Sequence, residues 1–188
     1  MVASRNKLSN ELLSRVGDFV ATRTAPEEPL AVGLSGGCDS VVLLHLLASL
    51  DLGARLGAVH VHHGLSPNAD YWADFCSSLC ARLGVALQVK RVGVDRKSGQ
   101  GLEAAARTAR YAAFSASDKP TIFLAHHQGD QAETLLFNLL RGSGVAGAAA
   151  MADQRQHGAL RILRPLLHIP RAALVAYAVD NGLVWIED

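Results

Sequence analysis

Six consecutive residues carry the clearest chemical signal in this sequence. They lie between an apolar run at 30–34 and a second apolar pattern that begins at Val41. They are Ser35, Gly36, Gly37, Cys38, Asp39 and Ser40. Adjacent glycines allow a tight turn in which the backbone approaches a ligand without a Cβ in the way. The N–H groups at the start of the next helix, with the serine hydroxyls, can then bind an anion. The segment predicts a phosphate-binding loop at a helix N-terminus.

Asp39 is the acidic residue of this segment, and its type allows two roles. It can cap the helix, or it can hold Mg²⁺ against phosphate oxygens. The sequence contains no Gly-Lys dipeptide, which excludes a Walker A lysine, and no G-x-G-x-x-G follows a strand-like run. The segment therefore differs from the two commonest phosphate-binding motifs.

Two further polar clusters follow strand-like runs. The first contains His60, His62 and His63, and the second contains His126, His127, Asp130 and Glu133. Such histidines are candidate metal ligands or general bases, and the simpler interpretation is that they form hydrogen bonds within loops. Asp130 and Glu133 share a helix face. A carboxylate there is a candidate partner of Asp39 for Mg²⁺, a base for an amine, or a first-turn acid that the helix dipole favours.

A basic helix forms the third group. Glu103, Arg107 and Arg110 lie on one stripe of a helical pattern at 102–115. A Glu–Arg pair four residues apart is typical of a surface salt bridge of small energetic value. The alternative is a guanidinium clamp for phosphate. The residue types alone favour the salt bridge.

The elements that must position these groups alternate along the chain. Strand-like runs occur at 30–34, 58–62, 85–92, 121–125 and 160–163, and helical patterns occur at about 6–23, 40–50, 71–83, 102–115, 131–140 and 171–181. The continuous apolar character of the runs indicates burial on both faces, as in a parallel sheet. We therefore predict an α/β fold, a doubly wound, mostly parallel five-stranded sheet with helices on both faces. Residues 142–158, rich in Gly and Ala, predict a loop.

Composition narrows the class of protein. The 188 residues suit one domain, and a net charge of +1 argues against a stand-alone nucleic-acid-binding protein. Three cysteines and no secretory segment favour a cytoplasmic location, and no apolar run is long enough to span a membrane. Cys76 and Cys80 could join His60, His62 or His63 in a metal site, but the favoured interpretation is that they are small buried residues.

Taken together, the motifs resemble a known family. S-G-G-x-D-S alone resembles the pyrophosphate loop of ATP pyrophosphatases, whose fold is adenine nucleotide α-hydrolase-like. The other blocks are H-x-H-H-G-L-S, G-x-E-x-x-A-R-x-x-R-Y, A-H-H-x-x-D-Q-A-E-T, L-L-R-G-S-G, R-P-L-L and G-L-x-W-I-E-D. In this order they resemble the N-terminal domain of the tRNA(Ile)-lysidine synthases over nearly the whole chain.

The resemblance implies an ATP-dependent ligase. ATP would adenylate the C2 oxygen of the wobble cytidine in the isoleucine tRNA with anticodon CAU, releasing pyrophosphate. The ε-amine of free lysine would then displace AMP to give lysidine. On the matching positions, residues 35–40, His60, His126 and Arg110 would bind ATP. Asp39, Asp130 and Arg107 would be catalytic, and the two aspartates would hold Mg²⁺.

Two departures from the family pattern limit this expectation. Gly129 stands where the family usually has the first of two aspartates, and the C-terminal tRNA-binding domains are expected to be absent from this chain. A second copy of the chain, in a homodimer, is a further possible partner. The alternatives are a tRNA thiolase of the same superfamily, which usually carries C-x-x-C, and a nucleotide-binding module without turnover.

Overall fold

A six-stranded sheet organises the structure, a computed structural model that describes residues 2–95, 99, 101–140 and 150–187. The helices are α1 (Val2–Arg23), α2 (Cys38–Ala48), α3 (Ala69–Leu83), α4 (Leu102–Ser115), α5 (Gln128–Leu140) and α6 (Arg171–Asp180). The strands are β1 (Leu30–Gly33), β2 (Leu56–His62), β3 (Ala86–Arg91), β4 (Thr121–Phe123), β5 (Gln154–His157) and β6 (Leu160–Leu163). None of the helices within these residues is long and apolar enough to cross a membrane.

The strand order is β3-β2-β1-β4-β6-β5, and every pair is parallel except β5 with β6. The chain moves outward from β1 to β3 and then returns to place β4 on the other side of β1. Ligands of doubly wound sheets bind where the strand order reverses, outside the carboxyl ends of the strands. We call this side, where β1, β2 and β4 end, the carboxyl edge. The predicted α/β sheet is confirmed.

The predicted number of five strands is wrong, because β5 was not recognised. All four residues of β5 are polar and exposed, so no apolar pattern marks it. It pairs with β6 through a turn at Gly158, whose φ is +58°. The loop predicted at 142–158 is therefore incorrect at 154–157, and residues 141–149 lie outside the described part of the chain.

Apolar residues fill both faces of the sheet. On one face, Leu30 and Val32 of β1 pack with α1, α2, α3 and α6; on the other, Ala31 packs with Tyr111 and Phe114 of α4. After its first turn, helix α2 is apolar except for His45, and its leucines at 43, 44, 46 and 47 have no exposed surface. A helix of that kind must be enclosed. Its burial fixes the N-terminus of α2 firmly against the end of β1.

A polar network joins the opposite, amino edge of the sheet. The Glu28 carboxylate accepts hydrogen bonds from the Thr121 hydroxyl and the Arg161 guanidinium. Arg161 also donates to the carbonyl of Arg23 at the end of α1, at 2.8 Å. Burial alone would raise the pKa of Glu28, but these hydrogen bonds outweigh it and hold the pKa below its usual value. The network links α1, β4 and β6.

Glu28→Gln should lower the free energy of unfolding at pH 7 by about 1–2 kcal/mol, because it removes hydrogen bonds to a charged group. A carboxyl whose folded-state pKa is depressed stabilises the fold above its unfolded pKa of about 4.3 and loses that contribution as the pH falls further. The difference between wild type and variant should therefore shrink below about pH 4.3. Urea unfolding from pH 7 to pH 3 measures this, and a difference that does not change with pH contradicts it.

Candidate nucleotide-binding site

The turn between β1 and α2, which we call the SGGCDS loop (residues 35–40), requires glycine at Gly36. Its φ is +95°, and a Cβ built there would lie 2.5 Å from Cδ1 of Ile186. The Ile186 N–H donates to the Gly36 carbonyl at 2.9 Å. Both backbone conformation and space therefore exclude a side chain at Gly36. The segment after α6 packs directly on the loop.

Ser40 Oγ organises the interior of the SGGCDS loop. It accepts the N–H groups of Ser35 and Gly36 at 3.3 and 3.2 Å and donates to the Gly37 carbonyl at 2.9 Å. Ser35 Oγ lies 3.0 Å from Ser40 Oγ and accepts the Gly37 N–H at 3.2 Å. No side chain caps α2 at Gly37, so the N–H groups of its first turn are suited to an anion. The hydroxyls thus shape the loop and the helix end supplies the donors.

Two carboxylates, Asp39 of this loop and Asp130 of α5, both lie close to the His127 ring. Asp39 Oδ2 is 3.7 Å from His127 Nε2 and 3.8 Å from Arg171 Nε. Asp39 Oδ1 is buried and has no hydrogen-bond partner among the described residues. Asp130 Oδ2 accepts the His127 N–H at 2.7 Å, as in a capping box at the start of α5. Asp130 is therefore an acid of the first turn of α5, as its sequence position allows, and it also caps that helix.

These carboxylates fit Mg²⁺ that arrives with a nucleotide. Magnesium in phosphate sites is bound by one or two carboxylates together with substrate phosphate oxygens. The orphaned Oδ1 of Asp39 is an acceptor of the required kind. Among the described residues, no group of three or more His, Cys, Asp or Glu side chains could hold a metal ion without such a substrate.

A cavity of about 450 Å³ opens at the carboxyl edge and collects most of the predicted site residues. Its lining includes Ser35, Gly37, Asp39, Ser40, His60, His63, Trp72, Arg107, Arg110, Tyr111, His126, Asp130 and Ile186. Cys38 is instead buried in the apolar core. Glu133 is exposed on α5, and His62 pairs with Asp70 at 3.2 Å, so neither lines this cavity.

The hydrogen-bond partners of two cavity histidines define which ring nitrogen carries the proton. His126 Nδ1 accepts from Arg164 Nε at 3.2 Å, so the neutral ring has its proton on Nε2. Burial, reinforced by the charge of Arg164, lowers the pKa of His126 to about 4. His60 Nδ1 donates to the Leu34 carbonyl at 2.8 Å, which leaves Nε2 with a lone pair. Burial also lowers the pKa of His60. At neutral pH the first ring is a donor and the second an acceptor.

Arginines make one wall of the cavity positive. Arg107 donates to Tyr111 Oη at 3.3 Å and lies over its ring, 5.2 Å from the centroid. Burial lowers the pKa of Arg110, and the charge of Arg107 lowers it further. Arg164 is only 2% exposed and also donates to the Ala152 carbonyl at 2.7 Å. In the sequence, Arg164 is marked only by the R-P-L-L block and by a run of four arginines at 155, 161, 164 and 171, which predicts a surface strip and not a buried residue.

The cysteines do not form a second chemical centre. Burial raises the pKa of Cys76 to about 12 and that of Cys80 to about 11. Thiols this hard to ionise are poor nucleophiles and poor metal ligands at neutral pH. They are small residues of the apolar core, in agreement with the favoured interpretation of the sequence.

Comparison with known proteins identifies relatives along most of the chain. A tRNA(Ile)-lysidine synthase from Azoarcus sp. (strain BH72) is 53% identical over 172 residues, covering 89% of this chain and 38% of that protein. One from Xanthomonas campestris pv. campestris (strain 8004) is 54% identical over 167 residues, covering 87% and 38%. The chain spans about two fifths of the length of these curated relatives.

Solved structures agree on the fold. A U34-tRNA thiolase from Methanococcus maripaludis superposes with a TM-score of 0.77 at 18% identity, covering 97% of this chain and 67% of that one. An NH3-dependent NAD synthetase from Campylobacter jejuni gives a TM-score of 0.59 at 16% identity, covering 95% and 74%. A family model described as a PP-loop domain matches residues 8–188. With the SGGCDS loop at the switch point of the sheet, this chain belongs to the PP-loop domain family.

Proposed function

We propose that this chain is the nucleotide-binding catalytic domain of a tRNA(Ile)-lysidine synthase. Its substrates would be ATP with Mg²⁺, the isoleucine tRNA with anticodon CAU, and free L-lysine. The observation that carries the proposal is a single cavity in which the SGGCDS loop, two arginines and two aspartates meet. The relatives that are more than half identical to this chain supply the choice of substrates.

The first step would transfer AMP to the C2 oxygen of the wobble cytidine and release pyrophosphate. The first-turn N–H groups of α2 would bind the phosphates, as helix N-termini do in other phosphate sites. Arg107 and Arg110 face the same cavity and would stabilise the negative charge that develops on the leaving pyrophosphate. Asp39 and Asp130 would hold Mg²⁺, which neutralises phosphate charge when bound.

The second step needs a group that takes a proton from lysine. A free lysine ammonium has a pKa of about 10.4 and must be deprotonated before it attacks C2. His126 is unsuited to this role, because Nδ1 is occupied by Arg164 and Nε2 carries the proton. Asp130, His60 Nε2 and His63 line the cavity and remain as candidates, and Asp39 is assigned to Mg²⁺. Exposed Glu133 lies outside it.

A thiolase is a weaker alternative for this chain. Sulfur transfer through paired cysteines needs thiolates that reach the substrate. Cys76 and Cys80 are buried in the core, and burial raises the pKa of each well above its ordinary value. A nucleotide-binding module without turnover is the other alternative. It would bind ATP but release no pyrophosphate.

The direct test is pyrophosphate release from ATP and Mg²⁺ in the presence of an isoleucine tRNA transcript with anticodon CAU. The matched control is the same transcript with U at the wobble position. Release with C alone, followed by lysine-dependent loss of the adenylated RNA, is expected. Equal release with both transcripts overturns the assignment to cytidine. ATP binding with no release from either indicates a binding module.

Asp39→Asn should reduce pyrophosphate release by about 100-fold, because it removes the charge that would face Mg²⁺. Asp74→Asn is the matched control, since Asp74 is exposed on α3 away from the cavity. Steady-state rates for the two variants, with thermal unfolding to confirm the fold, provide the measurement. Equal rates for Asp39→Asn and wild type would show that Asp39 is not part of the reaction.

Ser40→Ala should weaken ATP binding by about tenfold, because the N–H groups of Ser35 and Gly36 lose their shared acceptor and the loop loses its shape. Ser49→Ala is the control at the C-terminal cap of the same helix, since its hydroxyl donates to the His45 carbonyl at 2.8 Å, far from the loop. Isothermal titration calorimetry with ATP compares the two. Equal dissociation constants would mean that Ser40 does not maintain the loop.

A further inference from the structure

At position 129, space and not backbone conformation limits the size of the side chain. Its φ lies outside the left-handed region, so other residues are allowed there by their backbone. A Cβ at this position, however, would lie 2.8 Å from Cε1 and 3.1 Å from Nδ1 of His127. The first distance is shorter than real Cβ contacts, so any side chain displaces the ring. Gly129 therefore leaves room for the imidazole of His127.

The position of this ring is defined from both sides. The Gly129 N–H donates to His127 Nδ1 at 3.0 Å, so the neutral ring carries its proton on Nε2. Nε2 is the atom that lies 3.7 Å from Asp39 Oδ2, while Nδ1 lies 3.4 Å from Asp130 Oδ2. The imidazole is thus placed between the two carboxylates, with its N–H toward Asp39.

His127 is the sheltered partner of Asp39. Its side chain is 11% exposed, whereas that of Arg171, which also lies near Asp39 Oδ2, is 64% exposed. Solvent weakens the exposed contact more than the buried one. The ring and Arg171 both lie on the Oδ2 side of the carboxylate, and Oδ1 is the oxygen without a partner among the described residues.

We propose that His127 is a positioning residue that orients Asp39 toward nucleotide-bound Mg²⁺, and that Gly129 leaves the room in which that ring takes this position. This inference rests on the proposed function only in that the ligand is ATP with Mg²⁺. Residues of this kind, which orient a metal ligand without touching the metal, typically change metal affinity or activity by about 10- to 100-fold.

The experiment measures ATP binding by calorimetry twice for each variant, once with Mg²⁺ and once with EDTA. His127→Leu and Gly129→Ala should each raise the dissociation constant for ATP with Mg²⁺ by about tenfold and leave that for ATP in EDTA unchanged. His127→Gln, which keeps an N–H donor, should recover most of the loss. His168→Leu and Gly93→Ala are matched controls, because His168 is exposed and a Cβ at Gly93 meets no atom within 4 Å.

The double variant separates positioning from general damage. If Gly129 acts by making room for His127, then Gly129→Ala should cost nothing more once His127 is Leu. Additive losses, or equal losses with Mg²⁺ and with EDTA, overturn the inference. Wild-type protein that binds ATP no better with Mg²⁺ than with EDTA contradicts the Mg²⁺ role in the proposed function instead. Thermal unfolding of each variant shows whether it folds.

Discussion

The turn at Gly36 is the constraint on which the site depends. Burial of α2 on all sides fixes where its first turn begins, and β1 ends only a few residues earlier. The chain can join them only through a residue at φ +95°, beneath the side chain of Ile186. That geometry directs the first-turn N–H groups into the cavity. The position of the N–H groups that can bind an anion therefore depends on how α2 packs in the core, and a substitution that moves α2 also moves these N–H groups.

The polar side chains at the two edges of the sheet differ in how completely they are paired. At the amino edge, Glu28 and Arg161 satisfy one another and Thr121, which leaves a closed network. At the carboxyl edge, Asp39 Oδ1 has no partner among the described residues, and Arg164 is buried against a neutral histidine. A buried acceptor without a donor and a buried charge without an opposite charge both cost stability. Asp39 and Arg164 are such groups, and they lie at the edge where the fold places ligands.

The features that could be predicted are those that depend on residues close together in the sequence. The SGGCDS loop, the helices, the parallel strands and the polar clusters at the carboxyl edge follow from residue type and apolar period. The strand β5 was missed because an exposed polar edge strand has no apolar signal. The role of Arg164 was missed because its burial and its bond to His126, 38 residues away, exist only after folding. Gly129 appeared in the sequence as a lost carboxylate, and only its distance to His127 reveals the space it leaves.

Three histidines near one edge of the sheet differ in what they offer because their partners differ. A backbone carbonyl gives His60 a proton on Nδ1, whereas a guanidinium and a backbone N–H leave the Nδ1 atoms of His126 and His127 as acceptors. One ring then offers a lone pair and two offer N–H groups. The group that hydrogen-bonds to Nδ1 of each histidine therefore decides whether its Nε2 donates or accepts. A substitution at Arg164 or Gly129 changes a histidine's role without altering the histidine.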